Sequence, residues 1–281
     1  MTNTKSRNIS GLCKRAKMSR QNYYAERKLR NRKKIEKEFI LFLIANERKI
    51  QPRVGVRKLH KMIGKDLEMH DINIGRDRLF DVLREEALLI EKKKAFVPKT
   101  TNSKHSLPVF RNLFKLYEPT APNQVWVSDI TYIHTEEGFV YAALLTDAFS
   151  RKIVGAHIGD TLESFGACKA LDMALKLLPA RSYPIHHSDR GSQYCCHEYI
   201  NKLKKRDLSI SMTEENHCYE NAMAERVNGI LKDEFHLDMV FNNKKDAYLA
   251  FWNAIHVYNN RRLHMSLNYM IPANVHMGEA I

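Results

Sequence analysis

Three carboxylates, Asp129, Asp189 and Glu225, stand at points where the chain changes its structural period. Asp129 lies inside a β-rich run, Asp189 follows a short apolar run, and Glu225 falls within an amphipathic helical stretch. Acids so placed can converge at one end of a sheet. The chemistry that needs such a group is two-metal phosphoryl transfer, in which Mg²⁺ ions about 3.5 to 4 Å apart clamp the attacking and leaving oxygens of an in-line displacement. Mg²⁺ prefers oxygen ligands and keeps several waters, so three acids and a substrate phosphate are a sufficient set. With 32 Asp and Glu in the chain, spacing alone selects nothing, but the helix around Glu225 adds a second test. At about 100° per residue, Asn221, Glu225, Asn228 and Lys232 share one stripe, while Met223, Val227, Ile230 and Leu231 occupy another side. A metal ligand, two amides and a phosphate-reaching lysine then share a face; an ordinary solvated polar face accounts for the same pattern.

Other reactive residues carry less. His186, His187, Cys195, Cys196 and His197 invite zinc. Zinc wants four ligands in tetrahedral array, however, and adjacent residues on a strand point to opposite faces. One of the paired histidines is expected in the core and the other at the active-site edge. Trp126, three residues before Asp129, reads as a core anchor rather than a base-stacking platform. Asp147 and Asp160 read as solvated turn acids. Arg190, Gly191 and Gln193 fit a turn leading from a strand into a helix, with glycine supplying backbone freedom and Arg190 within reach of DNA. Arg261 and Arg262 offer a phosphate clamp, although adjacent surface arginines are common without one.

The elements that must position these residues are framed by an uneven charge. The 281 residues hold 46 Lys and Arg, a formal charge of +14, with 44% hydrophobic residues, ordinary for a chain that buries a core. Residues 1–110 hold 28 basic and 12 acidic side chains, or +16; residues 111–281 hold 18 and 20, or −2. A surplus confined to the front part points to phosphate-backbone binding rather than to general solubility. A membrane surface fits less well, because the basic stretches are not one long amphipathic helix. No stretch reaches the roughly 18 to 20 apolar residues of a membrane span, and the first residues lack the apolar core of a signal peptide. Five cysteines without a repeated spacing suit reduced thiols, and a cytoplasmic protein is expected.

Four of the eight prolines, Pro98, Pro108, Pro119 and Pro122, mark a linker over 98–122. Before it, residues 1–50 read as helical. Ile9, Leu12, Cys13 and Ala16 line one face, Ser19 caps a helix over Arg20–Arg30, and a charged helix follows at about 32–48. That pattern fits a helix-turn-helix presenting Arg20 and Gln21 to base edges, or a small helical hairpin whose tyrosines pack inside. Residues 51–97 read as a second such unit, Gly55–Ile63 joined through Gly64–Gly75 to Arg76–Leu89. There Leu79, Val82, Leu83 and Leu88 form the apolar stripe, and Arg76 and Arg78 are placed for DNA. Residues 123–281 change period. Strands are expected at Val125–Ile133, Phe139–Leu145, Lys152–Ile158, Tyr183–His187 and Leu208–Met212, and helices at Leu162–Leu178, Tyr194–Lys205 and Tyr219–Phe235. The order β-β-β-α-β-α-β-α predicts an α/β fold with a mixed five-stranded sheet covered by helices.

The strings W-V-S-D-I-T-Y-I (Trp126–Ile133), H-S-D-R-G-S-Q-Y (His187–Tyr194) and N-A-M-A-E-R-V-N-G-I-L-K (Asn221–Lys232) occur in that order, with 35 residues between Asp189 and Glu225. Together they closely resemble the DDE transposases of the insertion-sequence-three family, OrfB type, relatives of retroviral integrases with a ribonuclease-H-like core. The segment Tyr258–Ala273 is similar to the family's C-terminal part, and G-V-R-K-L and L-R-E-E-A-L-L extend the likeness loosely over 53–90. Glu220 stands where the family commonly has Asp, and Ser128 where Thr is frequent; neither change removes a ligand. The zinc-binding N-terminal module of retroviral integrases has no counterpart.

That resemblance implies that Asp129, Asp189 and Glu225 bind two Mg²⁺ ions, with Mn²⁺ as a substitute, and that Lys232 lies near the donor-end DNA; Asn221 and Asn228 on its stripe, and Arg190 in the turn after Asp189, are expected at DNA as well. It implies nicking at the terminus of a mobile element, then attack of the freed 3′-hydroxyl on another phosphodiester. It also implies terminal repeats and target DNA as partners, at least a dimer on DNA, and a place in the bacterial cytoplasm at the nucleoid. A non-catalytic DNA-binding regulator derived from such an enzyme, and a structure-selective nuclease of the same fold, are the rival expectations.

Overall fold

A computed structural model describes residues 8–91, 106–214 and 221–279. Pro98 and the polar run up to His105, together with Cys218, Tyr219 and Glu220, lie outside the described residues. The chain divides into two compact units, residues 1–49 with 55–89, and residues 50–54 with 90–281. No described helix is long and apolar enough to cross a membrane.

The first unit is helical. Helix α1 (Ile9–Arg15) is followed by α2 (Arg20–Ile50). Ser19 caps α2 as expected, its hydroxyl accepting from the Asn22 N–H at 3.0 Å. The two helices expected at 20–30 and 32–48 are one. Neither Gly nor Pro interrupts them, and the pairs Arg32–Glu36 and Lys34–Glu38, one turn apart, carry the helix across the expected break. Tyr24 is 45% exposed, so the alternative with both tyrosines packed inside is not met.

Three short helices follow, α3 (Val56–Met62), α4 (Gly64–Met69) and α5 (Arg76–Glu85). The join expected between Gly64 and Gly75 therefore contains a helix of its own. Helix α5 stops short of Leu89 because the backbone turns left-handed at Ala87, φ 55°. Leu79, Val82 and Leu83 are buried as expected, whereas Leu88, past that turn, is 37% exposed. Lys37 of α2 reaches Glu85 at 3.1 Å and Glu86 at 2.6 Å, tying α2 to the end of α5.

The second unit holds a mixed sheet. Strands β1 (Val125–Thr135), β2 (Gly138–Asp147) and β3 (Ile153–Gly159) form an antiparallel meander. Strands β4 (Ile185–Ser188) and β5 (Ile210–Met212) add parallel to its other side. The order is β3-β2-β1-β4-β5, the five strands expected, and a short β6 (Val240–Phe241) also pairs with β1. The helices are α6 (Ser164–Leu177), α7 (Ser192–Cys195), α8 (His197–Lys205), α9 (Ala222–Phe235), α10 (Lys244–Asn260) and α11 (Pro272–His276). The single helix expected at Tyr194–Lys205 is thus two, broken where Cys196 takes an extended conformation and caps α8.

Alternation along the strands sends apolar side chains to both faces. On one, Trp126, Leu145 and Val154 pack with Leu171 of α6 and Tyr199 and Leu203 of α8. On the other, Ile133, Leu144 and Ile158 pack with Val227 and Leu231 of α9 and Phe251 and Tyr258 of α10. Gly155 lets α6 approach β3 closely, since a Cβ there would stand 2.2 Å from the Ala170 carbonyl oxygen. Asp147, expected in solvent, is fully buried. It accepts from the Asn123 N–H, the Ser150 N–H and the Ser150 hydroxyl, each at 2.7 Å, and so fixes the β2–β3 turn. Asp160 remains on the surface, where it accepts from the Tyr248 hydroxyl and pairs with Lys244.

Candidate active site

The register of β1 with β4 sets the first two acids. Val125 lies opposite Ile185 and Val127 opposite His187. Carried two residues further, that register brings the positions of Asp129 and Asp189 to one level, where β4 has just ended. The carboxyl ends of neighbouring parallel strands are where open α/β sheets bind ligands.

Helix α9 supplies the third acid and is pinned to β1 by two amides. Asn221 Nδ2 donates to the Ser128 carbonyl at 3.1 Å, and Asn228 Nδ2 donates to Asp129 Oδ2 at 2.8 Å. These hooks are two turns apart, and Glu225 lies between them on the same stripe. Asn221 and Asn228 were expected at DNA; they are 3% and 6% exposed, and their N–H donors hold β1. The stripe seen in the sequence is real, but its amides face protein.

Burial pushes the Asp129 carboxyl up to about 7. The charges of Asp189 and, less, Glu225 push the same way, against hydrogen bonds from Asn228 and the Ile130 N–H. Burial and the Asp189 charge also raise Glu225. The three carboxylates therefore feel one another. Asp189 Oδ1 accepts the Gly191 N–H at 3.0 Å, which folds the chain back toward α7. Lys232, two turns after Glu225 on α9, places its ammonium 4.0 Å over the Tyr132 ring. Burial lowers its pKa while the Asp129 charge acts to raise it.

Around this centre several expectations shift. Arg190 directs its Nε to the Thr213 carbonyl at 2.6 Å, tying the loop after β4 to the end of β5. Arg262 is no surface clamp; it is 3% exposed and grips Glu234 with two hydrogen bonds of 2.8 Å. Both paired histidines are buried, so neither lines the edge of the site. His187 Nδ1 lies 2.8 Å from the Ser211 hydroxyl. His186 Nε2 lies 2.8 Å from Ser128 Oγ and 2.7 Å from the Tyr199 hydroxyl, and burial pushes its pKa down to about 3, so it is neutral. Trp126 is buried as expected, its indole N–H reaching Asn123 at 3.2 Å. In the first unit, Arg20 and Gln21 open α2 and are exposed, and Arg76 and Arg78 open α5, paired with Asp77 and Glu85.

Sequence reasoning weighed Ser128 only as a departure from the family pattern and passed over Tyr199, yet both hydroxyls meet His186 Nε2 in a buried polar cluster on the strand that carries Asp129. Tyr199, ten residues after Asp189, gives no sign of this in the sequence.

Among the described residues no group of three or more His, Cys, Asp or Glu stands close enough to hold one metal ion together. The donor set nonetheless fits a hard divalent cation. Its oxygens are all carboxylate, the kind Mg²⁺ takes, and Asp129, raised to about 7 by burial and then by the charge of Asp189, is a carboxylate whose ionised form a cation would favour.

Comparison with known proteins agrees with this geometry. An integrase core domain model matches residues 119–218, and a second integrase core domain model matches 206–272. The insertion element IS600 uncharacterized 31 kDa protein of Shigella sonnei is 36% identical over 266 residues, covering 93% of this chain and 96% of that protein. The transposase for insertion sequence element IS629 of Shigella sonnei is 33% identical over 222 residues, 78% of this chain and 72% of that one. In shape, the chain is similar to one in the simian T-cell lymphotropic virus intasome bound to PP2A regulatory subunit B56 gamma. The TM-score is 0.50 at 18% identity, over 80% of this chain and 75% of that one.

Proposed function

Because the chain belongs to the insertion-sequence-three family of DDE transposases, we propose that Asp129, Asp189 and Glu225 are its metal-binding carboxylates and that Lys232 meets the DNA end beside them. The chain is a polynucleotidyl transferase of transposition and DNA integration. The observation that carries the assignment is the β1–β4 register, which levels Asp129 with Asp189, together with the two asparagine hooks that face Glu225 toward them.

Two reactions follow from the family's activity. Water bonds to phosphorus at the element's end as the 3′-oxygen leaves with a proton. That hydroxyl oxygen then bonds to the phosphorus of a target phosphodiester, whose own 3′-oxygen leaves and takes the proton. The second step exchanges like bonds and needs no energy source. When bound, two Mg²⁺ ions, or Mn²⁺ in their place, supply charge stabilisation to the phosphate oxygens and a nucleophile at neutral pH. The protein's share is positional. Asn228 holds the Asp129 carboxylate, Asn221 fixes the strand that bears it, and Lys232 offers a cation to the phosphate backbone.

Residues 1–50 and 51–97 are the DNA-gripping region, with Arg20, Gln21, Arg76 and Arg78 as contacts; 98–122 is the linker and 123–281 the catalytic core. Joining two element ends calls for at least a dimer on DNA, acting at the bacterial nucleoid. The test is replacement of each acid by its amide, Asp129→Asn, Asp189→Asn and Glu225→Gln. Cleavage of oligonucleotides carrying the terminal repeat in Mg²⁺ is expected to vanish while binding to them persists; full cleavage by any one variant sinks the assignment.

A further inference from the structure

The face of the meander that α6 covers is closed at one end only. Trp126, Ala143, Leu145 and Val154 pack there with residues of α6 and α8. Alternation along each strand puts Tyr132 and His134 of β1, and Phe139 and Tyr141 of β2, further along the same face, Tyr132 opposite Tyr141 and His134 opposite Phe139. Phe139 is 47% exposed, and the other three are half-buried. Three of the rings form a cluster. His134 and Phe139 stand 4.5 Å apart between centroids, Tyr132 and His134 5.2 Å, and Tyr132 and Phe139 5.6 Å. One exposed phenylalanine needs no explanation, but contiguous aromatic rings mark a surface that meets a partner.

The surroundings identify that partner. Strand β4 pairs with β1 as far as Val127, and β6 joins at His134. From Ser128 to Ile133 that edge of β1 therefore carries no strand among the described residues. Asp129 and Tyr132 both lie in this gap, about 10 Å apart along the strand. Helix α9 packs on the opposite face through Val227 and Leu231, yet its Lys232 ammonium stands 4.0 Å from the Tyr132 ring centre. The lysine thus reaches across the open edge and joins the side of the acids to the side of the rings. A cation seated beside bare rings is the combination that binds single-stranded nucleic acid, since phosphate meets the cation and a base lies flat on the next ring. Duplex DNA away from its ends has no base faces to offer. The hairpin tip points the same way: Glu136 and Glu137 are exposed there and repel a phosphate backbone, which leaves the rings to bases.

We propose that Tyr132, His134 and Phe139 are a stacking platform for unpaired bases of the DNA that leads to the three acids, with Tyr132 seating Lys232 at the phosphate and Phe139 receiving the base. Tyr132 is then a positioning residue acting through Lys232, whereas Phe139 touches the DNA itself. The inference rests on the reading of Lys232 as the cation at the DNA end.

The test measures binding of the full chain, without divalent ions, to two repeat-end oligonucleotides, one a blunt duplex and one with a short single-stranded overhang at the element's terminus. Stacking on an aromatic ring strengthens binding by about 5- to 150-fold per base, so wild type is expected to prefer the overhang by at least about fivefold. Phe139→Ala and Phe139→Leu are expected to lose that preference, and Phe139→Trp, which restores a flat ring, to keep it. Equal affinity of wild type for the two oligonucleotides overturns the proposal, and so does a preference retained in Phe139→Ala. Retention in Phe139→Leu overturns it too, since an aliphatic side chain gives apolar contact without a ring face. A changed oligomeric state in Phe139→Ala, with the preference kept, assigns the face to a second copy of the chain instead. If Phe139→Ala fails to fold, the contrast between Phe139→Leu and Phe139→Trp decides. Lys232→Ala is expected to weaken binding to both oligonucleotides. If it weakens neither, the reading of Lys232 falls and the platform with it; if it weakens both while Phe139→Ala keeps the preference, the platform alone falls.

Discussion

Arg78 of α5 meets Glu85 at 3.0 Å with the two side chains 59% and 47% exposed, whereas Arg262 grips Glu234 through two 2.8 Å bonds with side chains 4% and 17% exposed. The same pair of residue types does different work in the two units. In the first, where the basic surplus lies, charges pair loosely at the surface and can exchange a carboxylate for a phosphate. In the second, near neutral in sum, charge is either closed into the fold, as at Arg262, or held by burial beside other carboxylates, as at Asp129. Net charge of a segment and burial of single charges are thus separate readings, the first pointing toward a polyanion and the second toward a cation.

The largest effect expected from this contrast is on stability. Arg262→Ala leaves Glu234 facing a buried gap and is expected to cost about 3 to 5 kcal/mol, as when one partner of a buried pair is removed. Arg78→Ala, at a solvent-exposed pair, is expected to cost under about 1 kcal/mol. Urea denaturation of the two variants measures both, and comparable losses would erase the distinction. A smaller effect is expected at Asn228. Asn228→Ala removes the donor to Asp129 Oδ2 and should lower strand cleavage by about 10- to 100-fold, the range for residues that orient a metal ligand, while repeat-end binding stays within twofold or so. Loss of end binding in step with cleavage would return Asn228 to the role of a DNA contact.

Much of the catalytic half could be read from the sequence because its elements are strongly periodic. The alternation through Val125–Ile133 predicts β1, and the gaps between the three expected strands fall at Gly138 and Arg151, where the backbone has positive φ, 109° and 62°. The stripe Asn221–Glu225–Asn228–Lys232 predicts a face directed at the acids. What it faces could not be read, since a polar face is the same string whether it meets DNA, solvent or a neighbouring strand. For that reason Asn221 and Asn228 look like DNA contacts in the sequence and like strand hooks in the fold. Arg262 and Asp147 fail in the same way: both are charged residues in loop-like strings, and only tertiary partners, Glu234 for one and Ser150 and Asn123 for the other, make their burial affordable. In the helical half, α2 shows the opposite error. Arg20–Arg30 and about 32–48 read as two helices, yet ion pairs one turn apart make them one continuous helix.

The finest effect concerns how the basic unit holds DNA. Arg76 and Arg78 stand at the start of α5, and each has a carboxylate close by, Asp77 at 2.8 Å and Glu85 at 3.0 Å. If those pairs were strong, the arginines would be unavailable to phosphate. Exposed pairs of this kind are worth about 0 to 1 kcal/mol, whereas release of counter-ions from DNA acts at every phosphate neutralised. Phosphate should therefore win. Each of Arg76→Ala and Arg78→Ala is expected to flatten the dependence of log affinity on log salt by about one unit in slope, with little change in preference between sequences. Titration of repeat-end DNA with the full chain at several salt concentrations measures the slope. An unchanged slope, with folding intact, would mean that Asp77 and Glu85 keep their arginines and that the grip lies elsewhere in the basic unit, with Arg20 at the head of α2 the next residue to replace.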